Sequence, residues 1–256
     1  MGETRKPMIF IALEISETNL VLVVSKSTGK SAEIVHAESI VRTPGDLAAS
    51  LSQIPSSYRH GTLVVPRGMA LLREFQIPSG NLEETIQMVR FQMEREFPLD
   101  ADQIRSSFAI GNEEKGKVSV QVAAVPNEVL DPLLEELEKG GFQVDAVTVS
   151  TFGLARLVSD ETDPVAIIGQ SGRQAEILIS RKGNFSVTRT APIPKGETLE
   201  EAIKIEVDRS VLAFQARSKG TDVEKIIIPT KWDSLGLNGS ITLGMGVSWD
   251  MNMASA

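Results

Sequence analysis

The chain has 256 residues, contains no cysteine and carries a formal net charge of −8 at pH 7. A hydrophobic content of 41% is enough for a packed core, and the lack of cysteine excludes disulfides, thiolate nucleophiles and cysteine-ligated zinc. Basic residues are scattered among acidic ones, which argues against nucleic-acid binding, because a phosphate backbone is bound by clustered lysine and arginine.

The first part of the chain reads as a run of strands interrupted by one short helix. Val, Ile and Leu dominate the apolar segments, and polar turns such as Glu17–Asn19 separate the first three, as in an antiparallel meander. The helix carries Leu47 and Leu51 on one face and has Pro44 at its start. The predicted strands are residues 8–15, 20–24, 31–41, 62–65 and 69–77.

No membrane span, secretion signal or metal site is predicted. The apolar run that begins at Met8 is interrupted at Glu14, which gives it the length of a strand. The two histidines, His36 and His60, lack the spacing of metal ligands. We therefore expect a cytoplasmic protein without a bound metal.

The middle of the chain alternates helices and strands. Residues 81–97 have the apolar period of a helix, which Asn81 and Glu84 can open with a capping box and Pro98 can end. A second helix opens at Asn127 and closes at Gly140-Gly141. We predict that residues at about 79–142 form an inserted α+β subdomain. The strands predicted here are residues 104–110, 118–125 and 144–149.

The second part of the chain repeats the layout of the first. Three strands form a meander, a long helix runs from Thr198 to Ser218 behind a second capping box, and a buried strand covers residues 224–228. The polar stretch at residues 159–163 separates the two parts. We predict a first half at residues 1–160 and a second half at residues 161–256. The meander strands are residues 165–168, 175–180 and 184–190.

Three stretches, taken in order, resemble the PilM and GspL type of actin-like protein from type IV pilus and type II secretion platforms. The first runs from Leu63 to an acidic helix that ends in Phe97-Pro98-Leu99. The second contains Val122-Ala-Ala-Val-Pro-Asn127 and Ser150-Thr-Phe-Gly-Leu-Ala155, and the third is residues 165–214. The resemblance implies an α/β fold of the duplicated actin-like ATPase (ribonuclease H-like) kind, with an inserted subdomain.

The resemblance also implies that the first phosphate-binding turn is degenerate. The family pattern is Asp-Ile-Gly-Ser-Ser-Ser, with a lysine shortly after, because small residues let backbone amides approach an anion. Here the matching residues begin with Glu14-Ile15, and Val21 stands at the lysine position. The acid in the turn would repel phosphate. The turn residues are Ser16, Glu17, Thr18 and Asn19.

The other nucleotide contacts also depart from the family pattern. Gly169 replaces the second aspartate, although Ser171, Gly172 and Arg173 keep a turn that can accept an anion. Pro229–Trp232 stand where a Gly-Gly pair would lie against adenine. Residues 193–198 run directly into the long helix, so the resemblance implies that the helical lid is missing.

These departures favour a non-catalytic scaffold without a cofactor. In the family, PilM holds a short segment of the single-span membrane protein PilN beside the inserted subdomain. We therefore expect a PilN-like protein or another platform component as partner, which would recruit the chain to the inner face of the inner membrane. The candidate partner-binding residues are Arg67, Arg73, Arg90 and Arg95.

Two other interpretations stay open. A divergent actin-like ATPase or kinase would bind ATP and Mg²⁺ and would need Glu14 in place of the missing aspartate. A division protein of the FtsA kind would need a C-terminal amphipathic helix, which the residues after Asp250 do not form. The run from Ser234 onward departs from the family pattern, either by truncation or by divergence.

Overall fold

The computed structural model describes residues 8–28, 31–43, 45–218, 222–223, 225–227 and 243–244. The predictions made for Pro44 and for Pro229–Trp232 lie outside the described residues. No helix in the described part of the chain is both long enough and apolar enough to cross a lipid bilayer.

The described residues form strands and helices in the predicted order. The strands are β1 (Met8–Ile15), β2 (Asn19–Ser27), β3 (Ser31–Val41), β4 (His60–Val65), β5 (Leu71–Pro78), β6 (Ile104–Glu114), β7 (Lys117–Pro126), β8 (Gln143–Val149), β9 (Val165–Ser171), β10 (Gln174–Arg181), β11 (Asn184–Pro192), β12 (Lys225–Ile227) and β13 (Leu243–Gly244). The helices are α1 (Leu47–Leu51), α2 (Leu82–Glu96), α3 (Asn127–Lys139), α4 (Ser150–Leu157) and α5 (Leu199–Arg217).

The same topology occurs twice, as the sequence predicts. In the first half, β1, β2 and β3 form an antiparallel meander, and β4 returns parallel to β1 after α1. In the second half, β9, β10 and β11 form the meander, and β12 returns parallel to β9 after α5. This duplicated meander, helix and strand is the actin-like architecture, so the predicted fold class is confirmed.

The two longest helices begin where their capping residues predict. The Asn81 side chain accepts a hydrogen bond from the backbone N–H of Glu84, and the Thr198 side chain accepts one from that of Glu201. In return, the carboxylate of each acid accepts a hydrogen bond from the backbone N–H of its capping residue. The apolar period of α2 predicts a buried face; Val89 on this face is fully buried, whereas Leu82, at the start of the helix, is 63% exposed.

The inserted subdomain has boundaries that differ from the predicted 79–142. Its sheet has the strand order β5-β7-β6, so it begins at Leu71 and ends at Pro126. Helix α3 packs against α1 and β8 of the first half, and its Leu130 and Leu137 lie in the main core. The apolar stripe of α3 showed that the helix packs on a surface, but a stripe does not identify which surface.

The hydrophobic core of the first half extends into the second half. Leu13 and Leu63 of the first sheet share one cluster with Ile167 and Leu178 of the second. The inserted subdomain has its own core, in which Val89 of α2 packs on the sheet. Residues 193–198 alone connect β11 to α5, so no lid separates the second meander from its helix.

Candidate functional site

The two hairpin turns that would hold phosphate in an actin-like ATPase touch each other. Gly172, in the β9–β10 turn, has a φ of +56°, and a Cβ placed on it would lie 3.0 Å from Ser16 Oγ and 3.1 Å from Thr18 Oγ1. A cleft of about 170 Å³ remains beside this contact. It is lined by Ser16, Glu17, Pro66, Gly68, Met69, Ser171 and Gln174.

The first turn is closed by its own hydrogen bonds. Ser16 is 5% exposed, and its hydroxyl accepts from the backbone N–H of Asn19 at 2.9 Å and donates to the Asn19 carbonyl at 3.0 Å. The Thr18 N–H also points to Ser16 Oγ, at 3.4 Å, while Glu17 is exposed. The amides that would meet an anion are therefore already directed at a side chain of the same turn.

The second turn also directs its polar groups away from a shared anion site. The Arg173 guanidinium donates to the Ile193 carbonyl at 2.6 Å, and the Gln170 amide donates to the Gly172 carbonyl at 3.0 Å. Ser171 lies in the cleft wall. Of the predicted turn residues, Ser16, Thr18 and Gly172 are thus brought together, whereas the Arg173 side chain binds to the connection that leads to α5.

Gly169 packs closely against a leucine of helix α4. The residue is buried, and a Cβ placed on it would lie 2.6 Å from Leu154 Cδ1 of α4. Real Cβ atoms do not approach this closely, so Leu154 occupies the space that an aspartate would need. The loss of this aspartate is therefore coupled to a packing contact between the two halves.

Two carboxyl groups lie below the cleft. Burial raises the pKa of Glu14, and the Ser171 hydroxyl opposes this rise in part. Glu176 of β10 is 4% exposed, and burial raises its pKa as well, against the opposing effects of Ser150, Thr151 and Arg67. Each of these carboxyl groups is therefore more easily protonated than an exposed one.

Glu176 is the centre of a polar cluster that joins the two halves. The Ser150 hydroxyl donates to it at 2.6 Å and the Thr151 hydroxyl donates to its other oxygen, both from the start of α4. Arg67 lies close enough to lower the pKa of Glu176 by its charge. This cluster was not predicted from the sequence, since its members are far apart in the chain; the acid inside the apolar strand at residues 175–180 was the available signal.

Arg67, one of the predicted partner-binding residues, is half-buried between the two halves. Its guanidinium donates to the Ala70 carbonyl at 2.7 Å and to the Thr188 hydroxyl of β11. Burial lowers its pKa, and the nearby charge of Glu176 opposes this change. Arg67 is half-buried and holds the halves together, so it does not belong to an exposed binding face.

The other three predicted arginines are exposed on the inserted subdomain. Arg73 lies over the Phe97 ring at 5.8 Å and donates to the Leu72 carbonyl at 2.9 Å. Arg95 lies over the Phe91 ring at 5.7 Å, and Arg90 is exposed on α2.

An open groove lies between β5 and α2 in the inserted subdomain, and we call it the β5–α2 groove. Its volume is about 260 Å³, and Phe91 in its wall is 57% exposed. An exposed aromatic ring beside an apolar groove is typical of a surface that binds another molecule. The groove is lined by Gln76, Ile77, Pro78, Gln87, Met88, Phe91 and Gln92.

Comparison with known structures agrees with this fold. The PilM-PilN type IV pilus biogenesis complex matches with a TM-score of 0.60 and 21% identity, over 82% of this chain and 69% of that chain. The cytoplasmic domain of EpsL, an inner membrane component of the type II secretion system of Vibrio cholerae, matches with a TM-score of 0.51 and 17% identity, over 72% of this chain and 71% of that one. At these identities the likeness concerns the fold.

Comparison of the sequence with protein families identifies the family. No curated protein sequence matches the chain. The family model of type II secretion system protein L matches residues 21–162, which is more than half of the 256 residues. The chain therefore belongs to the family of type II secretion system protein L and is a component of a secretion or pilus assembly platform.

Proposed function

We propose that this chain is a non-catalytic adaptor that binds the cytoplasmic segment of a single-span inner-membrane partner at the β5–α2 groove. The partner would recruit it to the inner face of the inner membrane. The observation that carries the proposal is the contact between the two phosphate turns, where Gly172 lies against Ser16.

The site favours a binding role over hydrolysis for three physical reasons. The Ser16 hydroxyl already occupies the amides of the first turn, and Leu154 fills the space of the second aspartate. The remaining cleft, at about 170 Å³, is smaller than the β5–α2 groove, at about 260 Å³. No ATP or Mg²⁺ is part of the proposed role.

The β5–α2 groove supports the partner-binding half of the proposal. The groove lies between β5 and α2 of the inserted subdomain, the part of the fold beside which the resemblance to PilM places the partner. The exposed Phe91 offers an apolar anchor there. Arg73 lies on β5 and Arg95 lies on α2, where their side chains can meet an acidic residue of the partner.

Binding of the partner segment tests the proposal directly. The probe is a synthetic peptide with the cytoplasmic sequence of a PilN-like single-span membrane protein, titrated into the full chain by calorimetry. We expect micromolar or tighter binding to the wild type and a loss of at least about tenfold in Phe91→Asp, because the substitution places a charge in an apolar contact. No binding to the wild type would contradict the proposal.

A second helix provides a matched control for the charge introduced at Phe91. Leu212 of α5 is 65% exposed, so Leu212→Asp adds the same acid to a similarly exposed apolar position outside the groove. We expect this variant to bind the peptide like the wild type and both variants to keep its melting temperature. Equal losses in both variants would mean that the groove is not the binding surface.

A further inference from the structure

We propose that the partner segment binds in an extended conformation and adds to the open edge of β5 as a further strand. This inference rests on the proposed function, since it specifies how the same groove holds its partner. It is carried by the backbone of β5, whose hydrogen-bonding groups on one side have no strand beside them in the described residues.

The strand register identifies which backbone groups of β5 face outward. Antiparallel pairing joins β5 to β7 from Leu71 opposite Ala124 to Pro78 opposite Lys117. One step further, the Ser79 N–H donates to the Gly116 carbonyl at 2.9 Å. Hydrogen-bonded pairs alternate along an antiparallel ladder, so every second residue of β5 directs its N–H and C=O away from β7. These residues are Leu72, Glu74, Gln76 and Pro78.

A side-chain contact agrees with this alternation. Arg73 donates from its guanidinium to the Leu72 carbonyl at 2.9 Å, which places that carbonyl on the outer edge of the strand. The arginine thus covers the edge at this end, and Pro78 has no N–H at the other end. The stretch between them offers the N–H and C=O of Glu74 and Gln76 to a neighbouring chain.

The walls of the groove fit the side chains of an added strand. Successive side chains of a strand point to opposite faces, so every second side chain of the partner would lie against Met88 and Phe91 of α2. Two of the three exposed arginines, Arg73 and Arg95, stack on aromatic rings of the subdomain. We therefore infer a short extended segment with alternating apolar residues and an acidic residue that meets these arginines.

Backbone methylation of the peptide tests this geometry without changing the protein. The same cytoplasmic peptide is made in two versions, each N-methylated at every second residue and offset from the other by one position. Only alternate N–H groups of an added strand face β5, so one version should bind at least about tenfold more weakly and the other should bind like the unmodified peptide. Equal affinities of the two versions would overturn the added strand.

A matched pair of substitutions tests the edge from the protein side. Gln76→Pro removes an outward N–H without removing a bond to β7, and Gln76→Ala keeps that N–H. We expect the proline variant to bind the peptide about tenfold more weakly than the alanine variant does, with similar melting temperatures.

The outcomes separate the two proposals. If the peptide binds but is insensitive to Gln76→Pro and to the methylation frame, the added strand is overturned and the adaptor role is retained. If the unmodified peptide does not bind, both are overturned. Edge-to-edge dimers of the chain that persist with saturating peptide would also overturn the added strand.

Discussion

Gly169 stands where the family pattern has the second aspartate of the phosphate site, and it packs against Leu154. Leu154, which is 7% exposed, fills the space where a side chain at 169 would lie. Gly169→Asp should therefore lower the free energy of unfolding by about 2–4 kcal/mol, through overlap and the burial of a charge. Urea unfolding measures this change. Adding Leu154→Ala removes the overlap, so the double variant should be more stable than the sum of the single losses predicts; strict additivity would contradict this account.

Glu14 makes the stability of the chain depend on pH. Because burial raises its pKa in the folded state, its favourable contribution is fully present below the unfolded pKa and is lost as the pH rises through the folded pKa. Glu14→Gln removes this loss. The melting temperature of the variant should therefore exceed that of the wild type near neutral pH, and the difference should shrink on acidification. Glu17→Gln, in the exposed part of the turn, is the control, and a pH-independent difference for Glu14→Gln would contradict the prediction.

At the scale of elements, Arg67 and Glu176 join the β4–β5 connection to α4, β10 and β11. Arg67→Met should destabilise the fold by about 2–3 kcal/mol, because it leaves Glu176 buried without its charge partner. Adding Glu176→Gln should recover part of this loss, since the uncharged amide oxygen still accepts from one of the two hydroxyls and its NH₂ group can donate to the other. A double-mutant cycle in urea measures the coupling, and independent effects of the two substitutions would argue against the pair.

Local sequence signals predicted the positions of helices and strands better than they predicted the contacts between them. The capping boxes at Asn81 and Thr198 fixed two helix starts, because a cap depends on residues three positions apart. The strands predicted at 175–180 and 184–190 are joined by a turn at Lys182-Gly183, where both residues have positive φ. The cluster around Glu176 was missed, because it joins residues that only the complete fold brings together. The placement of α3 failed for the same reason.

At the scale of the whole molecule, the duplicated fold is retained, and its two halves meet beside a cleft of about 170 Å³. The main core runs through both halves, and the turns meet at Gly172. The inserted subdomain is fixed to the second half as well, since the Gln121 amide donates to the Phe185 carbonyl at 3.3 Å. A frame connected at these points is suited to presenting a fixed groove to a partner, which is what an adaptor requires.

The central claim is that the chain binds its partner without using nucleotide. The most direct test is a calorimetric titration of the partner's cytoplasmic peptide into the full chain, run with and without millimolar Mg-ATP. A functional nucleotide site would couple the two ligands and change the dissociation constant of the peptide. Our account predicts binding with the same dissociation constant in both titrations. A dissociation constant that changes with Mg-ATP, or a lack of binding in both titrations, would contradict it.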